Sequence, residues 1–388
     1  MKILLLLLSP LLFLFSILFP KNKKIWVYGA WFGKRYSDNS KDFFEYSNSI
    51  IEDGIQHYWV YKDKNLKDEI ESKGYKCVYA YAFKGILIQL RAKVFITCIN
   101  SSDFVPFLIT PRNYFVQLWH GSPIKHIGVN SRKNKIRKAL DVIRFITIDN
   151  YSLIVSPSAV FDKVYKEAFF KKQDRIFRNG YPRNENLIIN GETKIKIKDY
   201  FNVSKEEKLI IYLPTHRNEG KSKNPFIPVL KALLLKNKFL KKNKIKLIVK
   251  PHFYEKDSFK DVKETTNVLI RYDFPFDLYE FLGATDMLVT DYSSVMFDYE
   301  LLNKKIIIYP FDLKSYKIND RNLYFDFNFL YKNVLNLKKV DSIDTLCESF
   351  IENKKEESLV ERKKSVFNEP FGLYSENIYN KLIKELGV

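Results

Sequence analysis

Cysteine and glycine are scarce in this chain of 388 residues, and each shortage excludes a class of protein. Cys77, Cys98 and Cys347 lie far apart and form no CxxC pair, so we expect no zinc ribbon or disulfide framework, and a reducing compartment fits. The 13 glycines form no GxGxxG fingerprint, and no internal repeat or low-complexity tract is visible. The sequence also lacks the patterns of helix-turn-helix, RRM, OB and zinc-finger domains, which argues against a nucleic-acid-binding module.

Positive charge is in excess, with 65 Lys+Arg against 45 Asp+Glu and a net charge of +20. Such an excess favours anionic partners, which are nucleic acid, phosphorylated substrates or an anionic membrane surface. The plain alternative is a lysine-rich solvated surface. Because no nucleic-acid-binding pattern is present, we expect a phosphorylated substrate, a membrane surface or both, and no nucleic acid.

Residues 1–24 predict a hydrophobic membrane anchor with a basic flank. Met1–Pro20 is uncharged from Ile3 onward, and Lys21, Lys23 and Lys24 follow it. A secretory signal has its charge first and ends in small residues, which is the opposite order. The run is at the short limit for a membrane span, and its positive flank places the rest of the chain on the cytoplasmic side of the cell membrane. The anchor either spans the bilayer or lies in the interface, and the alternative is a buried helix of the first domain.

Beyond residue 24, short apolar runs alternate with helical stretches. This alternation is typical of parallel sheets that are covered by helices on both faces. One series begins at Ile25–Gly29, and a second begins at Leu209–Leu213, with a polar, lysine-rich linker region near 190–202. We therefore predict an α/β fold with two Rossmann-like, doubly wound domains, at residues 25–188 and 189–388, the second ending in C-terminal helices.

The segment 286–310 predicts a strand–turn–helix–strand unit. Met287–Thr290 has the pattern of a buried strand, and Val295–Asn303 has helical spacing. Ser293 and Ser294 stand where the helix begins, and there free N–H groups and the positive helix end favour an anion such as a pyrophosphate. The alternative is that Asp291 and Ser293 only cap the helix.

Polar side chains follow several other predicted strands, and four of the five histidines lie in such strand-end loops. Ligands of open α/β sheets bind at the carboxyl ends of the strands, so we expect these loops to converge on an interdomain cleft. Histidine is suited to proton transfer near neutral pH. The loop residues of this kind are His120, His126, His216 and His252, with Arg183, Arg217 and Lys250 as added positive charge. We predict a diphosphate site without a tightly held metal or other cofactor. The carboxylates of Asp291 and Asp298 keep a bound divalent metal as an alternative.

Four of these segments, in this order, resemble the motifs of the CDP-glycerol glycerophosphotransferase family. They are Trp119-His120-Gly121-Ser122-Pro123, Pro214-Thr215-His216-Arg217, Pro251-His252, and Asp291-Tyr292-Ser293-Ser294 through Asp298. The stretch YGAWFGKRYSDNSKDFFEY resembles the family's opening motif, and the match covers about Ile25 to Asp312. The family comprises teichoic-acid primases and polymerases and is related to transferases that use CDP-ribitol.

The resemblance implies a GT-B-like fold whose N-terminal domain takes the acceptor and whose C-terminal domain binds the CDP donor. It implies transfer of glycerol phosphate, or ribitol phosphate, to a hydroxyl of a lipid-linked acceptor in teichoic acid or capsule-type polymer synthesis, with release of CMP. His120 would be the base and His252 would neutralise charge on the leaving CMP. The implied substrate-binding residues are Trp119, Gly121, Ser122, Pro123, Arg183, Thr215, His216, Arg217, Lys250, Ser293, Ser294 and Asp298. The family often has Trp where His216 stands.

Two further interpretations stay open at this point. A GT-B glycosyltransferase with a nucleotide-sugar donor would also have a basic cleft, and it would release a nucleoside diphosphate rather than CMP. Separately, Ser131–Arg144 is basic with apolar residues at helical spacing, which suits an anionic lipid surface, a phosphate-rich acceptor or a plain solvated face.

Overall fold

The structure is a computed structural model that describes residues 9–51, 54–216, 224–251, 255, 259, 261–319, 322–352 and 365–388. Its internal contacts divide the chain into two units. The first consists of Met1–Gly121, Ile127–Glu185 and Phe371–Val388, and the second of Ser122–His126 and Asn186–Pro370.

The first unit contains a seven-stranded parallel sheet. Its strands are β1 (Asn22–Gly29), β2 (Gln56–Tyr61), β3 (Cys77–Tyr79), β4 (Ala92–Thr97), β5 (Tyr114–Gln117), β6 (Leu153–Ser156) and β7 (Ile176–Arg178). They are arranged in the order β3-β2-β1-β4-β5-β6-β7, with Val27 aligned to Tyr58 on one side and to Phe95 on the other. The order starts in the middle and extends to both edges, as in a doubly wound sheet, so the switch point lies between β1 and β4.

The helices of this unit before residue 185 are α1 (Ser9–Leu18), α2 (Asp38–Ser49), α3 (Leu66–Ser72), α4 (Phe83–Arg91), α5 (Lys135–Thr147) and α6 (Ala159–Ala168). Aromatic residues dominate the core beneath α2. Tyr28 on β1 lies edge-on to Phe44 of α2, with ring centroids 5.0 Å apart, and Phe44 also contacts Trp59 of β2 at 5.5 Å. Such edge-to-face pairs add to the burial of large rings, which accounts for many of the aromatic residues in this half of the chain.

The C-terminal helix, Tyr374–Leu386, belongs to the first unit. Ile378 and Leu382 are fully buried in its core, and Tyr379 packs against Trp26 of β1 with ring centroids 5.3 Å apart. The boundary predicted from sequence, 189–388, therefore differs from this division at its end. The position of this helix in the chain does not show which unit it packs against, because an amphipathic helix is compatible with any apolar surface.

The N-terminal helix α1 also contacts the first unit. Ser16 Oγ donates to the carbonyl of Leu108 at 2.9 Å, and Arg112 Nη1 donates to the carbonyl of Ile17 at 2.7 Å. Lys21 Nζ, just after the helix, donates to the carbonyl of Leu90 at 2.8 Å. In the described part of the chain, no helix combines the length and the apolar character needed to cross a bilayer.

The second unit contains a six-stranded parallel sheet. Its strands are β8 (Lys208–Leu213), β9 (Ile245–Val249), β10 (Val268–Ile270), β11 (Met287–Thr290), β12 (Lys305–Ile308) and β13 (Leu337–Lys339), arranged β10-β9-β8-β11-β12-β13. Its helices are α7 (Gly191–Tyr200), α8 (Phe226–Leu235), α9 (Asn237–Lys242), α10 (Leu278–Ala284), α11 (Val295–Glu300), α12 (Leu313–Asn319), α13 (Phe327–Asn333) and α14 (Ile343–Ile351). The order repeats that of the first sheet, with the switch point between β8 and β11. The predicted α/β fold with parallel sheets is confirmed.

One stretch of the second unit differs from its prediction. Residues 190–202, expected to form a linker region, contain helix α7. The Asn190 side chain accepts from the backbone N–H of Thr193 at 2.8 Å, and Ile197 is fully buried. An N-cap and an apolar contact thus stabilise a helix that its many lysines obscure in the sequence.

Candidate functional site

His120 lies three residues beyond the end of β5, and the local hydrogen bonds fix its ring. Nδ1 is 2.9 Å from the carbonyl oxygen of Cys98, beyond the end of β4. A carbonyl only accepts, so Nδ1 carries the hydrogen, and in the neutral ring the proton-accepting nitrogen is Nε2. The ring also packs against Trp119 and Trp31, with centroids 4.2 and 5.5 Å away. The geometry therefore fixes the orientation and the tautomer of a neutral His120 ring, and its role as the base stays a prediction.

The loop after β1 brings Trp31 to this histidine. Trp31 and Phe32 both have left-handed backbone angles, with φ of 48° and 62°. Asp103 supports the loop: its Oδ1 accepts from Phe32 N at 2.6 Å, and its Oδ2 accepts from the Thr97 hydroxyl. Burial raises the pKa of Asp103 to about 6. Non-glycine residues with such angles cost about 1–3 kcal/mol each and cluster at functional sites, where the surroundings hold them in place.

Arg183 lies in the same unit, and its position is fixed by two residues of α2. Nη1 is 2.7 Å from Asp38 Oδ1, and the two side chains are only 9% and 7% exposed. The Arg183 backbone N–H donates to Asn39 Oδ1 at 3.1 Å. Arg183 is predicted to bind a diphosphate, and within this unit Asp38 already compensates its charge.

In the second unit, Asp291 joins the loops at the switch point between β8 and β11. Its carboxylate is fully buried, and Oδ1 accepts from the Thr215 backbone N–H at 2.8 Å and from the Thr215 hydroxyl. Oδ1 also accepts from the Tyr292 backbone N–H at 2.5 Å. Asp291 thus holds the loop after β8 against the loop after β11. It makes these bonds in place of capping the helix that follows.

Ser293 and Ser294 precede α11, a helix of only six residues. Ser293 Oγ accepts from Val295 N at 3.4 Å, a long hydrogen bond, and Ser294 makes no side-chain cap bond. Asp298, one turn further on, is fully buried and accepts from the Tyr279 hydroxyl at 2.7 Å. The two serine hydroxyls therefore contribute little to capping the helix. Their role as anion ligands stays a prediction.

The remaining predicted residues have mixed surroundings. Lys250 Nζ donates to the Tyr272 carbonyl at 2.6 Å, and His216 Nδ1 lies 3.4 Å from Glu255 Oε1.

In the loop after His120, Gly121 has φ of 116°, an angle that disfavours any side chain, and Ser122 is fully buried. Pro123 belongs to the segment 122–126 of the second unit, in which Lys125 pairs with Leu323 as an isolated antiparallel bridge. Arg217 and His252 lie outside the described residues.

Sequence reasoning missed the residues that hold the site together, chiefly Asp38, Asn39 and Asp103. Asp38 and Asn39 stand in the opening motif, but the sequence gives them no role beyond a helix start. The available signal was the pair of polar residues directly before the apolar face of α2. Among the described residues, no group of three or more His, Cys, Asp or Glu side chains is placed to hold a metal ion.

Two doubly wound parallel sheets, each with polar side chains gathered at its switch point, define an α/β protein of the GT-B-like class. The fold matches a solved structure of the wall teichoic acid polymerase TagF with a TM-score of 0.78 at 20% identity, covering 98% of this chain and 93% of that one. A UDP-N-acetylglucosamine 2-epimerase also matches, with a TM-score of 0.58 at 12% identity, covering 94% of this chain and 97% of that one.

Sequence comparison defines the family. The chain belongs to the CDP-glycerol:poly(glycerophosphate) glycerophosphotransferase family, whose model matches residues 11–383. The teichoic acid poly(glycerol phosphate) polymerase of Bacillus spizizenii is 29% identical over 82% of this chain and 83% of its own length. The teichoic acid glycerol-phosphate transferase of Staphylococcus aureus is 29% identical over 79% of each chain. The resemblance found in the sequence motifs is confirmed.

Proposed function

We propose that this protein transfers glycerol phosphate from CDP-glycerol to an acceptor hydroxyl in teichoic acid synthesis and releases CMP. Membership of the family supports the reaction class, and relatives named for glycerol phosphate rank ahead of the ribitol-phosphate polymerase of Staphylococcus aureus, which is 25% identical. A structure of TagF soaked with CDPG has a TM-score of 0.76 to this chain at 21% identity, covering 95% of this chain and 90% of that one. The observation that carries the proposal is the hydrogen bond from His120 Nδ1 to the Cys98 carbonyl, because it fixes the tautomer of the neutral ring in which Nε2 is the proton-accepting nitrogen.

In this reaction Nε2 of His120 takes the proton of the acceptor hydroxyl as its oxygen attacks the phosphorus that carries glycerol. The bond from that phosphorus to the bridging oxygen breaks, and CMP leaves with the electron pair. Phosphoryl-type transfer depends on positioning and on charge stabilisation more than on covalent help. Ser293, Ser294, Thr215 and Arg183 are the proposed donor ligands. That the two domains face each other across a cleft remains a prediction of this proposal.

The first test is CMP release by the purified protein, with CDP-glycerol and CDP-ribitol offered in parallel over lipid-linked acceptors. His120→Asn is the informative variant, because its amide can donate to the Cys98 carbonyl but supplies no second ring nitrogen. We expect it to lose at least about 100-fold in kcat, the usual contribution of a general base. His57→Gln, which changes a histidine buried in the core of the same sheet, is the matched control and should retain activity.

Each outcome of this assay has a definite meaning. CMP release that requires one donor and an acceptor supports the transferase and identifies the donor. Full activity of His120→Asn would show that His120 is not the base. A nucleoside diphosphate released from a nucleotide sugar, with no CMP from either donor, would favour the glycosyltransferase instead.

The proposal includes a lipid-linked acceptor and work at an anionic membrane surface on the cytoplasmic side. Helix α5 supports this part, because Phe145 is its only buried residue. Ile136, Leu140, Ile143 and Ile146 are 73%, 59%, 56% and 51% exposed, at spacings of three and four that place them on one face. Basic residues lie on and beside the helix: Arg132, Lys133, Lys135, Arg137, Lys138 and Arg144. An apolar stripe flanked by lysine and arginine is the pattern of a helix that lies in the interface of an anionic bilayer. The N-terminal anchor belongs to the same proposal.

Vesicle flotation tests the membrane part separately from catalysis. Each aliphatic side chain that enters the bilayer contributes about 1.5–3 kcal/mol, so Leu140→Glu with Ile143→Glu should weaken binding to phosphatidylglycerol vesicles by about 100-fold or more. Leu235→Glu is the matched control, since Leu235 is 86% exposed on α8 of the second unit. Equal binding of both variants, or equal binding to neutral vesicles, would refute the role of α5.

A further inference from the structure

Asn39, at the start of α2, links the two predicted functional groups of the first unit. Its Nδ2 donates to the Trp119 carbonyl at 2.9 Å, and its Oδ1 accepts from the Arg183 backbone N–H at 3.1 Å. A carbonyl only accepts and a backbone N–H only donates, so both contacts require one amide orientation. Asn39 is fully buried. One side chain therefore connects the loop after β5 to the turn that carries Arg183.

The contact with Trp119 bears directly on His120. The Trp119 carbonyl belongs to the peptide that joins Trp119 to His120, so the Asn39 bond fixes the plane from which the His120 side chain projects. Trp119 has φ of 56°, a left-handed angle that a bulky residue adopts only when its surroundings impose it. Asp38, the neighbour of Asn39, is also left-handed at φ 70°. The backbone on both sides of this hydrogen bond is thus held away from its preferred angles.

We propose that Asn39 is a positioning residue for the base, acting through the Trp119–His120 peptide. The inference rests on the proposed function, in which His120 accepts the acceptor proton. Without the Asn39 amide, the Trp119 peptide loses the bond that opposes its relaxation, and the imidazole leaves the Cys98 carbonyl. The ring then no longer favours the tautomer that presents Nε2. Aspartate cannot replace asparagine here, because it keeps the acceptor for Arg183 but sets a carboxylate oxygen against the Trp119 carbonyl.

Asn113, elsewhere in the first unit, provides a matched control. It is also buried, its Nδ2 donates to the Ala92 carbonyl at 2.7 Å, and its Oδ1 accepts from the Thr110 backbone N–H at 2.8 Å. Asn39→Asp and Asn113→Asp therefore make the same chemical change, the loss of one buried donor to a carbonyl. Both variants should lower the free energy of unfolding, and only Asn39→Asp should change the position of the proposed base, His120.

The experiment measures kcat and KM for CMP release and, independently, the His120 tautomer by 15N NMR of histidine-labelled full-length protein. The His120 signals are assigned by their loss in His120→Asn. We expect Asn39→Asp to lower kcat by about 100-fold, since a misplacement of about 1 Å has that effect, with a much smaller change in donor KM. Its His120 signals should shift away from the Nδ1–H tautomer. Asn113→Asp should leave kcat and these signals as in the wild type.

The tautomer measurement separates the two hypotheses. If the wild type releases no CMP but Asn39→Asp alone shifts the His120 signals, the proposed function fails and the positioning role stands. If Asn39→Asp leaves the His120 signals unchanged, the positioning role is overturned whatever the activity. Equal losses of kcat in the two aspartate variants would also overturn it, because the effect would then follow from stability alone.

Discussion

Removing the Asp38 carboxylate should destabilise the first unit strongly, because it leaves the Arg183 guanidinium charged and buried. The pair is 2.7 Å apart and both side chains are less than 10% exposed. Breaking a buried pair by removing one partner costs about 3–5 kcal/mol, whereas an exposed pair contributes about 0–1 kcal/mol. Asp38→Gly is the suitable variant, since Asp38 has φ of 70° and glycine adopts that angle without strain. We expect the free energy of unfolding to fall by about 3–5 kcal/mol.

Tryptophan fluorescence during urea unfolding measures this loss in the right part of the molecule. The chain has four tryptophans, Trp26, Trp31, Trp59 and Trp119, and all lie in the first unit. Their signal therefore follows that unit even if the second unit unfolds separately. Glu71→Ala is the control, because its pair with Lys67 is half exposed, and we expect a change of less than about 1 kcal/mol.

A double variant distinguishes the buried charge from other causes of the loss. Asp38→Gly combined with Arg183→Met removes both charges and keeps an apolar side chain of similar length, so it should regain much of the stability that Asp38→Gly loses. A loss below about 1 kcal/mol in Asp38→Gly would refute the reasoning. So would a double variant that is no more stable than the single one, because the loss of the Asp38 charge beside the buried guanidinium would then not be the cause.

Three further predictions concern other parts of the chain. Burial lowers the pKa of His57 from 6.5 to about 4, so the unfolded chain binds a proton that the folded chain does not, and stability falls as pH drops through this range. The wild type should lose about 3 kcal/mol more than His57→Gln between pH 7 and 4 in urea titrations. Gly180→Ala should lower the melting temperature, because its Cβ would lie 2.2 Å from the Tyr374 ring of the C-terminal helix. Asp291→Ala should cost at least about 2 kcal/mol of unfolding free energy by removing the buried acceptor that Thr215 and Tyr292 share, and Asp291→Asn, which keeps an acceptor, should cost less.

The sequence predicted the strands well, for a physical reason. Met287–Thr290 is observed at the bounds expected from its apolar run, and the predicted Leu209–Leu213 lies within the observed strand Lys208–Leu213. A central strand of a parallel sheet is buried on both faces, so its sequence is continuously apolar and distinct from its polar flanks. Strands β7 and β13 were not predicted, because they are short and carry exposed, charged residues at their ends.

The positions of strand-end loops were also predictable, but the contacts between them were not. His120, Thr215 and Ser293 all follow predicted strands, and chain order alone places them at a carboxyl edge. Asn39 and Trp119 are 80 residues apart, and their hydrogen bond depends on β1, β4 and β5 being neighbours. Periodicity in one segment carries no information about its partner in another.

By itself, then, the sequence determined the α/β class, the family through its motifs, and the strand-end positions of the predicted site residues, because these follow from local patterns of apolar and polar side chains. Only the tertiary structure decided which nitrogen of His120 donates to the Cys98 carbonyl, which carboxylate compensates Arg183, and where the C-terminal helix packs. Each of these depends on a hydrogen bond or an apolar contact between residues distant in the chain, and the geometry of such a contact exists only once the sheets have formed.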